Sequence, residues 1–256
     1  IDKLSYSSNL ESVSDIKYKK NYYFHHEDIS NINSLTDIIN TFKPNRVIHL
    51  AAETHVDRSI DGPEVFMYSN IIGTFNLIES SYKYYSSLSE DLKEEFKFLL
   101  VSTDEVYGSL DEKEYQFDEN SNYKPNSPYS ASKAASDHIA RAWVKTFKMP
   151  IIITNTTNNY GPWQFPEKLI PLTIYKSLND EEIPIYGNGE QIRDWIHVDD
   201  HVSALIAISK KGVIGQKYNI GANNRISNIK LAIKICKILN ATISNKNKIL
   251  YENLIE

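Results

Sequence analysis

Residues Phe96–Gly108 read FKFLLVSTDEVYG. From Phe96 to Ser102 the apolar positions run almost without a break instead of alternating. A strand of that kind is covered on both faces, as in the interior of a parallel sheet. The run then ends on Thr103, Asp104 and Glu105. Adjacent carboxylates are expensive to bury unpaired, so their position at the end of an interior strand calls for a function. In open α/β sheets ligands bind at that end of the strands.

The flanking sequence extends the pattern. Tyr22–Ile29 (YYFHHEDI) reads as a strand, and Asn33–Phe42 as a helix with Leu35, Ile38, Ile39 and Phe42 at helical spacing. Arg46–Ala52 (RVIHLAA) reads as a buried strand, followed by a long helical pattern from Pro63 to about Leu88. Ser127 and Pro128 open a second long helix to Phe147, with Ala135, Ile139, Ala142, Trp143 and Phe147 on one face. Pro150–Thr156 is a further strand. This alternation predicts an α/β fold built on a doubly wound parallel sheet. Past Asn158 the rhythm changes to loops rich in Gly, Pro and aromatics, interleaved with helical patterns such as VDDHVSALIAIS. The expected organisation is a sheet domain over residues 1–157 and a smaller, pocket-shaping region over 158–256.

Composition bounds the function. The chain has 256 residues, 41% hydrophobic and 24% charged, with a net charge of −5. No long basic block is present, which argues against a nucleic-acid partner. No apolar run approaches the roughly 18 residues of a membrane span, and Ile1 does not open a signal-peptide pattern. The single Cys236 leaves no intrachain disulfide and points to a reducing, cytoplasmic setting. Cys236 reads as a small buried group on a helix. His49 reads as a core residue, His25 and His26 as surface strand positions, and His55 as lying near the pocket. No metal site is expected, since no histidine pair shows ligand spacing with carboxylates.

Chemistry enters with YSASK, which puts Tyr129 and Lys133 four residues apart on one helix face. A phenol is a poor base at neutral pH. A lysine one turn away favours the phenolate, so the pair can take a proton from a sugar hydroxyl while hydride leaves for a nicotinamide. Two neighbouring carboxyls such as Asp104 and Glu105 push their titrations apart, which suits one acid and one base. Tyr107 reads as structural.

Taken in order, HLAAETHVDRS, STDEVYG, SPYSASKAASDH, NNYGPWQFPEKLIP and GNGEQIRDW resemble the extended short-chain dehydrogenase/reductase family, over Ile1 to about Leu239. Within it the chain resembles the branch of nucleotide-sugar 4,6-dehydratases. Related epimerases share the Tyr/Lys pair but lack the Asp-Glu couple, and decarboxylating relatives keep the Glu without the Asp. The resemblance implies a Rossmann-like fold, NAD as cofactor and dTDP-glucose as substrate. It also implies a homodimer, paired through the helices at Pro63–Leu88 and Pro128–Phe147, and a place in deoxysugar, rhamnose-type synthesis. By the same resemblance carbon 4 is oxidised, water is lost across carbons 5 and 6, and carbon 6 is re-reduced. Thr103 polarises the carbon-4 oxygen, Tyr129 with Lys133 is the base there, Glu105 removes the carbon-5 proton, and Asp104 protonates the departing hydroxyl.

The implied cofactor contacts are Asp2, on the adenosine ribose, with Lys3, Leu4 and Ser5 beside it. They continue with Asp28 and Ile29 at the adenine, Leu50, Ala51, Ala52 and Glu53 along the cofactor, then Ser69, Tyr129, Lys133 and Asn159. The implied substrate contacts are Thr54, Thr103, Asn158, Lys168, Leu169, Pro184, Ile185, Tyr186, Arg193 and Asn228. Arg193 is the strongest of these physically, because a guanidinium binds diphosphate bidentately. On local sequence it could instead pair with Asp194. The Gly-rich dinucleotide turn, due roughly 20 residues before the ribose-binding acid, is absent from the sequence. The expectation is a piece of a longer gene product. The first strand and its Gly turn, and the family's C-terminal substrate-contacting segment, would then lie outside it, and NAD binding would be weak. Two further readings stay open: a sugar-nucleotide 4-epimerase, and a non-catalytic member lacking its cofactor loop.

Overall fold

The computed structural model describes residues 1–109, 116–243 and 249–256. Its first half carries α1 (Ile32–Phe42), β1 (Arg46–His49), α2 (Val56–Asp61), α3 (Pro63–Phe66), α4 (Thr74–Ser86), α5 (Glu90–Glu95) and β2 (Lys97–Thr103). The second half begins with α6 (Pro128–Phe147), β3 (Ile151–Thr156), β4 (Asn158–Tyr160) and α7 (Leu169–Leu178). It continues with β5 (Ile192–His197), α8 (Val198–Lys211), β6 (Lys217–Ile220), β7 (Arg225–Ser227) and α9 (Asn228–Thr242).

Two units are formed. The first is Ile1–Ser5, Val13–Thr156 and Val202–Ile220, and the second is Tyr6–Ser12, Thr157–His201 and Gly221–Glu256. The chain leaves the first unit next to the expected 157/158 boundary, but it returns. Residues after Val202 rejoin the first unit because β6 hydrogen-bonds to β3 in its sheet. The two regions are therefore not consecutive segments.

The first unit is a four-stranded Rossmann-type sheet in the order β1-β2-β3-β6, parallel throughout. All six residues of β3 are buried, and β2 keeps only Lys97 and Val101 partly accessible. That is the two-sided cover its near-continuous apolar run demands. Phe96, Phe98, Leu100, Met149 and Ile151 pack with Leu35, Ile39 and Ile78 into the main core. Asn31 caps α1 by accepting from the Ser34 amide, so the helix starts before the expected Asn33.

Several expectations are corrected. Tyr22–Ile29 is not a strand: its ladder is one parallel bridge between Asp2 and His26, and Tyr23 stays 64% exposed. The strand expected to Ala52 stops at His49, and Ile48 and Leu50 are exposed. Among the described residues β1 is an edge, paired only with β2. The helix expected over Pro63–Leu88 is interrupted by a π-helical turn, Met67–Gly73, which buries Ser69, Asn70 and Gly73. α5 was not legible as a helix, because it buries none of its residues.

On α6 the fully buried face carries Ser132, Lys133, Ser136, Asp137 and Ala140, while Ile139 and Trp143 of the apolar stripe are partly buried against the main core. The stripe makes partial aromatic contacts, Trp143 with Phe75 at 5.7 Å and Phe147 with Tyr82 at 5.1 Å, while Ala142 and Phe147 remain exposed. Hydrogen bonding decides the orientation, since each buried polar group on the inner face has a partner to meet.

The second unit has a three-stranded sheet, β4-β5-β7, with β4 parallel and β7 antiparallel to β5. Ile183, Ile235, Cys236, Leu239 and Tyr251 form its core. Residues 244–248 lie outside the described residues. Tyr251–Leu254 form a 3-10 turn, and the Ile183 amide donates to the Leu254 carbonyl at 2.7 Å. Among the described residues no helix is long and apolar enough to cross a membrane.

Gly108 closes the turn after β2 at φ 86°, and a Cβ there would run into the carbonyl oxygen of Lys124. Backbone cannot retreat as a flexible side chain can. Gly108→Ala is expected to cost about 3 kcal/mol, read as a lowered midpoint in denaturant unfolding with an unchanged slope.

Candidate active site

β2 ends on Thr103, and the chain goes straight into a 3-10 turn, Asp104–Tyr107. The Thr103 hydroxyl caps that turn, accepting from the Glu105 amide at 3.2 Å and approaching the Asp104 carboxylate at 3.4 Å. Both acids are half-buried at the carboxyl end of an interior strand. Behind them Tyr107 is packed against Phe117 and Tyr123, with its hydroxyl donating to Asn219 Oδ1 at 2.7 Å.

α6 supplies the second half of the site. Ser127 and Ser130 form a reciprocal capping box, with Pro128 at the first position, which sets Tyr129 in the first turn. The Tyr129 amide donates to Ser59 Oγ at 3.2 Å. The phenol is held well above its ordinary value by burial and by the negative charge of Glu105, with a hydrogen bond to Thr103 working the other way. This places the phenol in the field of the Asp-Glu turn. It also corrects the expectation that Lys133 lowers the phenol: in this structure burial and Glu105 prevail. The Lys133 ammonium donates to the Val101 carbonyl of β2 at 2.8 Å. Burial depresses it to about 8, against the pull of Asp137.

Asp137, one turn further along α6, is buried and raised by that burial. Its Oδ2 accepts from the Tyr123 hydroxyl at 2.7 Å and from Asn155 Nδ2 at 3.0 Å. Asn155 also donates to the Thr103 carbonyl at 3.1 Å. His49 lies in the core as expected, 2% exposed, with Nε2 at 2.8 Å from Thr74 Oγ1. Burial pushes it down to about 3.

Of the expected cofactor residues, the structure brings three together: Lys3 Nζ is 2.9 Å from Ser69 Oγ and 2.7 Å from Glu53 Oε1. Asp2 holds the bridge to His26, its Oδ1 accepting from the Leu4 amide at 2.7 Å, and Leu4 is left-handed at φ 52°. Ser5 follows in the same unit. Asp28 accepts from the Ser30 amide at 2.8 Å, but Ile29 turns its side chain into the core. Leu50 and Ala51 are exposed and Ala52 is half-buried after β1. An acid at the bridge, a stretch of small residues after a strand, and a tyrosine and lysine on the adjoining helix are a donor set that fits a nicotinamide dinucleotide. Thr54 is exposed at the end of that stretch. His55 instead caps α2 through Nδ1.

In the second unit Asn158 and Asn159 lie on β4 opposite Trp195 and Ile196 of β5. Arg193 sits on β5, exposed, with Nη1 on the Ile192 carbonyl at 3.0 Å. Asp194 is not its partner by hydrogen bonding: that carboxylate accepts from the Ala222, Asn223 and Asn224 amides. Pro184, Ile185 and Tyr186 lead to Gly189, whose carbonyl accepts from the Ile229 amide, next to Asn228 at the start of α9. Lys168 and Leu169 open α7. Asn159 Oδ1 and Asn228 Oδ1 are buried without a hydrogen bond to another protein group.

Sequence reasoning missed Asn70, Ser132, Ser136, Asp137 and Asn155. The available signal was the spacing of Ser132 with Ser136 and of Lys133 with Asp137, which marks a polar helix face at i, i+4.

Comparison with known proteins follows this geometry. A sequence profile described as GDP-mannose 4,6 dehydratase matches residues 1–252. The chain belongs to this family of 4,6-dehydratases. The dTDP-glucose 4,6-dehydratase of Salmonella typhimurium is 50% identical over 251 residues, covering 95% of this chain and 70% of that protein. The dTDP-glucose 4,6-dehydratase of Streptomyces venezuelae, solved with NAD bound, superposes with a TM-score of 0.86 at 36% identity, covering 93% of this chain and 70% of that one. The Bacillus anthracis dTDP-glucose 4,6-dehydratase, in complex with NAD, gives a TM-score of 0.83 at 41% identity, covering 100% of this chain and 73% of that one.

Lys133 supplies a stability test for this 4,6-dehydratase family member. Its folded value is about 8 against an ordinary 10.5, so between these the folded state holds fewer protons. Stability therefore rises with pH across that window, and the penalty is fully present below it. Tyr107, Tyr123 and Tyr129, all raised by burial, act in the opposite sense only above their ordinary value of 10.0. From about pH 8 to about pH 10 the stability of the unmodified protein is expected to climb by at most about 1.4 kcal/mol per pH unit. Lys133→Met should flatten this rise in pH-resolved denaturant titrations, leaving the smaller part that comes from Lys217, also lowered by burial, against the opposing effect of Cys236, raised by burial.

Proposed function

We propose that the protein catalyses the NAD-dependent conversion of dTDP-glucose to dTDP-4-keto-6-deoxyglucose. The observation that carries the reading is the turn after β2, where Thr103, Asp104 and Glu105 follow one another and Glu105 acts electrostatically on Tyr129. A redox scaffold that only inverts carbon 4 needs the tyrosine and lysine. Removal of water across carbons 5 and 6 needs an added acid and base, and two adjacent carboxyls supply both.

In this reading Tyr129 takes the carbon-4 hydroxyl proton once positive charge from bound NAD and from Lys133 offsets the burial and the Glu105 charge that hold its phenol high, and Thr103 hydrogen-bonds the same oxygen. The ketone acidifies the carbon-5 proton, Glu105 removes it, and Asp104 in its protonated form hands a proton to the departing carbon-6 hydroxyl. Lys133, fixed on the Val101 carbonyl, carries positive charge next to the site. NAD, when bound, would supply the acceptor for the carbon-4 hydride and its donor to carbon 6. Its contacts would be Asp2, Lys3, Leu4, Ser5, the backbone at Asp28 and Ile29, Leu50 to Glu53, Ser69 and Asn159. The nucleotide sugar would be met by Thr54, Asn158, Lys168, Leu169, Pro184, Ile185, Tyr186, Arg193 and Asn228. The Oδ1 atoms of half-buried Asn159 and Asn228, which accept no hydrogen bond from the protein, support polar recognition there.

The reading extends to a cytoplasmic homodimer serving rhamnose-type deoxysugar synthesis. A single buried cysteine supports a reducing compartment. Exposed Val65, Tyr68 and Ile72, at helical spacing ahead of α4, support an apolar self-association face. Ile72→Lys is expected to convert dimer to monomer in sedimentation velocity, while an unchanged sedimentation coefficient would remove that face from the interface.

The chemical division of labour is tested by Asp104→Asn and Glu105→Gln. Each should lower formation of the 4-keto-6-deoxy product by about 10²-fold or more. Reduced cofactor should still form on adding dTDP-glucose, seen by its absorbance. Equal loss of both signals would rule out separate roles in oxidation and elimination.

A further inference from the structure

Tyr107 of the STDEVYG stretch takes no part in the chemistry, yet it is 1% exposed behind the two carboxylates. What holds it comes from β6. That strand reads KYNI, and alternation along a strand puts Lys217 and Asn219 on one face. The register sets Asn219 opposite Asn155 of β3. The Tyr107 hydroxyl reaches both, donating to Asn219 Oδ1 at 2.7 Å and lying 3.4 Å from Asn155 Oδ1. Lys217 meets the same ring over its face. Its Nζ stands 4.9 Å from the ring centre of Tyr107 and 4.6 Å from that of Tyr123, and the two rings meet edge-on at 5.4 Å. An ammonium within about 6 Å of a ring centre is attracted by the ring quadrupole. Here one ammonium serves two rings from two segments. Tyr107 ends the catalytic turn, and Tyr123 lies on the stretch that comes back to it, where the Lys124 amide donates to the Val106 carbonyl at 2.9 Å. That stretch is tied to β6 a second time, since Glu119 Oε1 accepts from the Asn219 amide at 2.9 Å. Asp137, Glu119 and Asp118 direct negative charge at the half-buried Lys217, with Arg141 opposing.

We infer that Lys217 is a positioning residue: standing on both tyrosine rings, it clamps the turn Asp104–Tyr107 to the stretch Phe117–Lys124 and so aims Asp104 and Glu105. What those carboxylates do there rests on the dehydratase reading. A selective defect follows when the clamp is released. Tyr129 and Lys133 stand on α6, and the Lys133 ammonium is fixed separately on the Val101 carbonyl. A slack turn therefore slows the loss of water and spares the oxidation at carbon 4. Displacement of reacting groups by about 1 Å is enough to cost on the order of 10²-fold in rate, so a small shift of the carboxylates suffices. Lys217→Met keeps the apolar stem and loses the charge, while Lys217→Arg keeps a cation that stacks on aromatic faces.

The test compares Lys217→Met, Lys217→Arg and the unmodified chain by residue-resolved amide hydrogen exchange and by two rates measured with NAD and dTDP-glucose. One is the appearance of reduced cofactor, the other the formation of 4-keto-6-deoxy product. In Lys217→Met product formation should fall by about tenfold, while reduced cofactor appears within about threefold of the unmodified rate and accumulates. Its Lys124 amide should exchange at least about tenfold faster, with Leu99 and Leu100 of β2 keeping their protection. Lys217→Arg should restore both rates and the exchange to within about threefold of the unmodified chain. Should Lys217→Met not fold, Lys217→Gln, which also removes the charge, decides by the same readings. Unaltered product formation, equal loss of both rates, or an unchanged Lys124 amide would overturn the clamp. So would faster exchange at Leu99 and Leu100 as well, or failure of Lys217→Arg to restore the rates. Lack of product from the unmodified chain would count against the dehydratase reading alone, with exchange at Lys124 still deciding the clamp.

Discussion

A buried ammonium ties the site together. Lys133, 4% exposed, donates to the carbonyl of Val101 and so joins the helix that carries Tyr129 to the strand that leads into Asp104 and Glu105. A cation that far from solvent must be hydrogen-bonded and balanced, and Asp137 one helical turn away supplies the balance. Asp137 in turn needs partners, which Tyr123 and Asn155 provide. Asn155 closes the circuit by donating to the carbonyl of Thr103. The catalytic turn is thereby fixed from behind by the same network that holds the lysine.

This arrangement explains why α6 faces inward with its polar side. Apolar burial is worth roughly 25 cal/mol per Å² whichever apolar surface is covered, so the stripe at Trp143 and Phe147 could pack in several ways. An unsatisfied Lys133 or Asp137 would cost several kcal/mol. The polar contacts therefore select the orientation, and the stripe takes the partial cover that remains. The same logic accounts for the π-helical turn, whose irregular geometry is matched by the full use of the Asn70 amide.

Much of this was legible in the sequence. The apolar run at Phe96–Ser102 and the all-buried Ile151–Thr156 carry strand signals strong enough to survive any context. Ser127-Pro128 is a start signal that needs no tertiary information. Tyr22–Ile29 was not borne out as a strand because a strand is defined by pairing, and among the described residues this segment makes one bridge, to Asp2. α5 failed because it has no buried face to create a period. The Tyr129 titration was misjudged because spacing along a helix shows that Lys133 is near but not which way its ammonium points. Asn70 was invisible for a related reason: nothing local distinguishes an asparagine in a helix from one whose amide bridges two other segments.

The central claim is that the carboxylates after β2 turn an oxidation at carbon 4 into a loss of water completed at carbon 6. Its most direct test is to supply dTDP-glucose deuterated at carbon 4 and to locate the label in the product by NMR. The account predicts deuterium at carbon 6 of a 4-keto-6-deoxy sugar, because the hydride removed from carbon 4 is returned there after elimination. Deuterium found again at carbon 4 of an inverted sugar, with the carbon-6 hydroxyl intact, would contradict it.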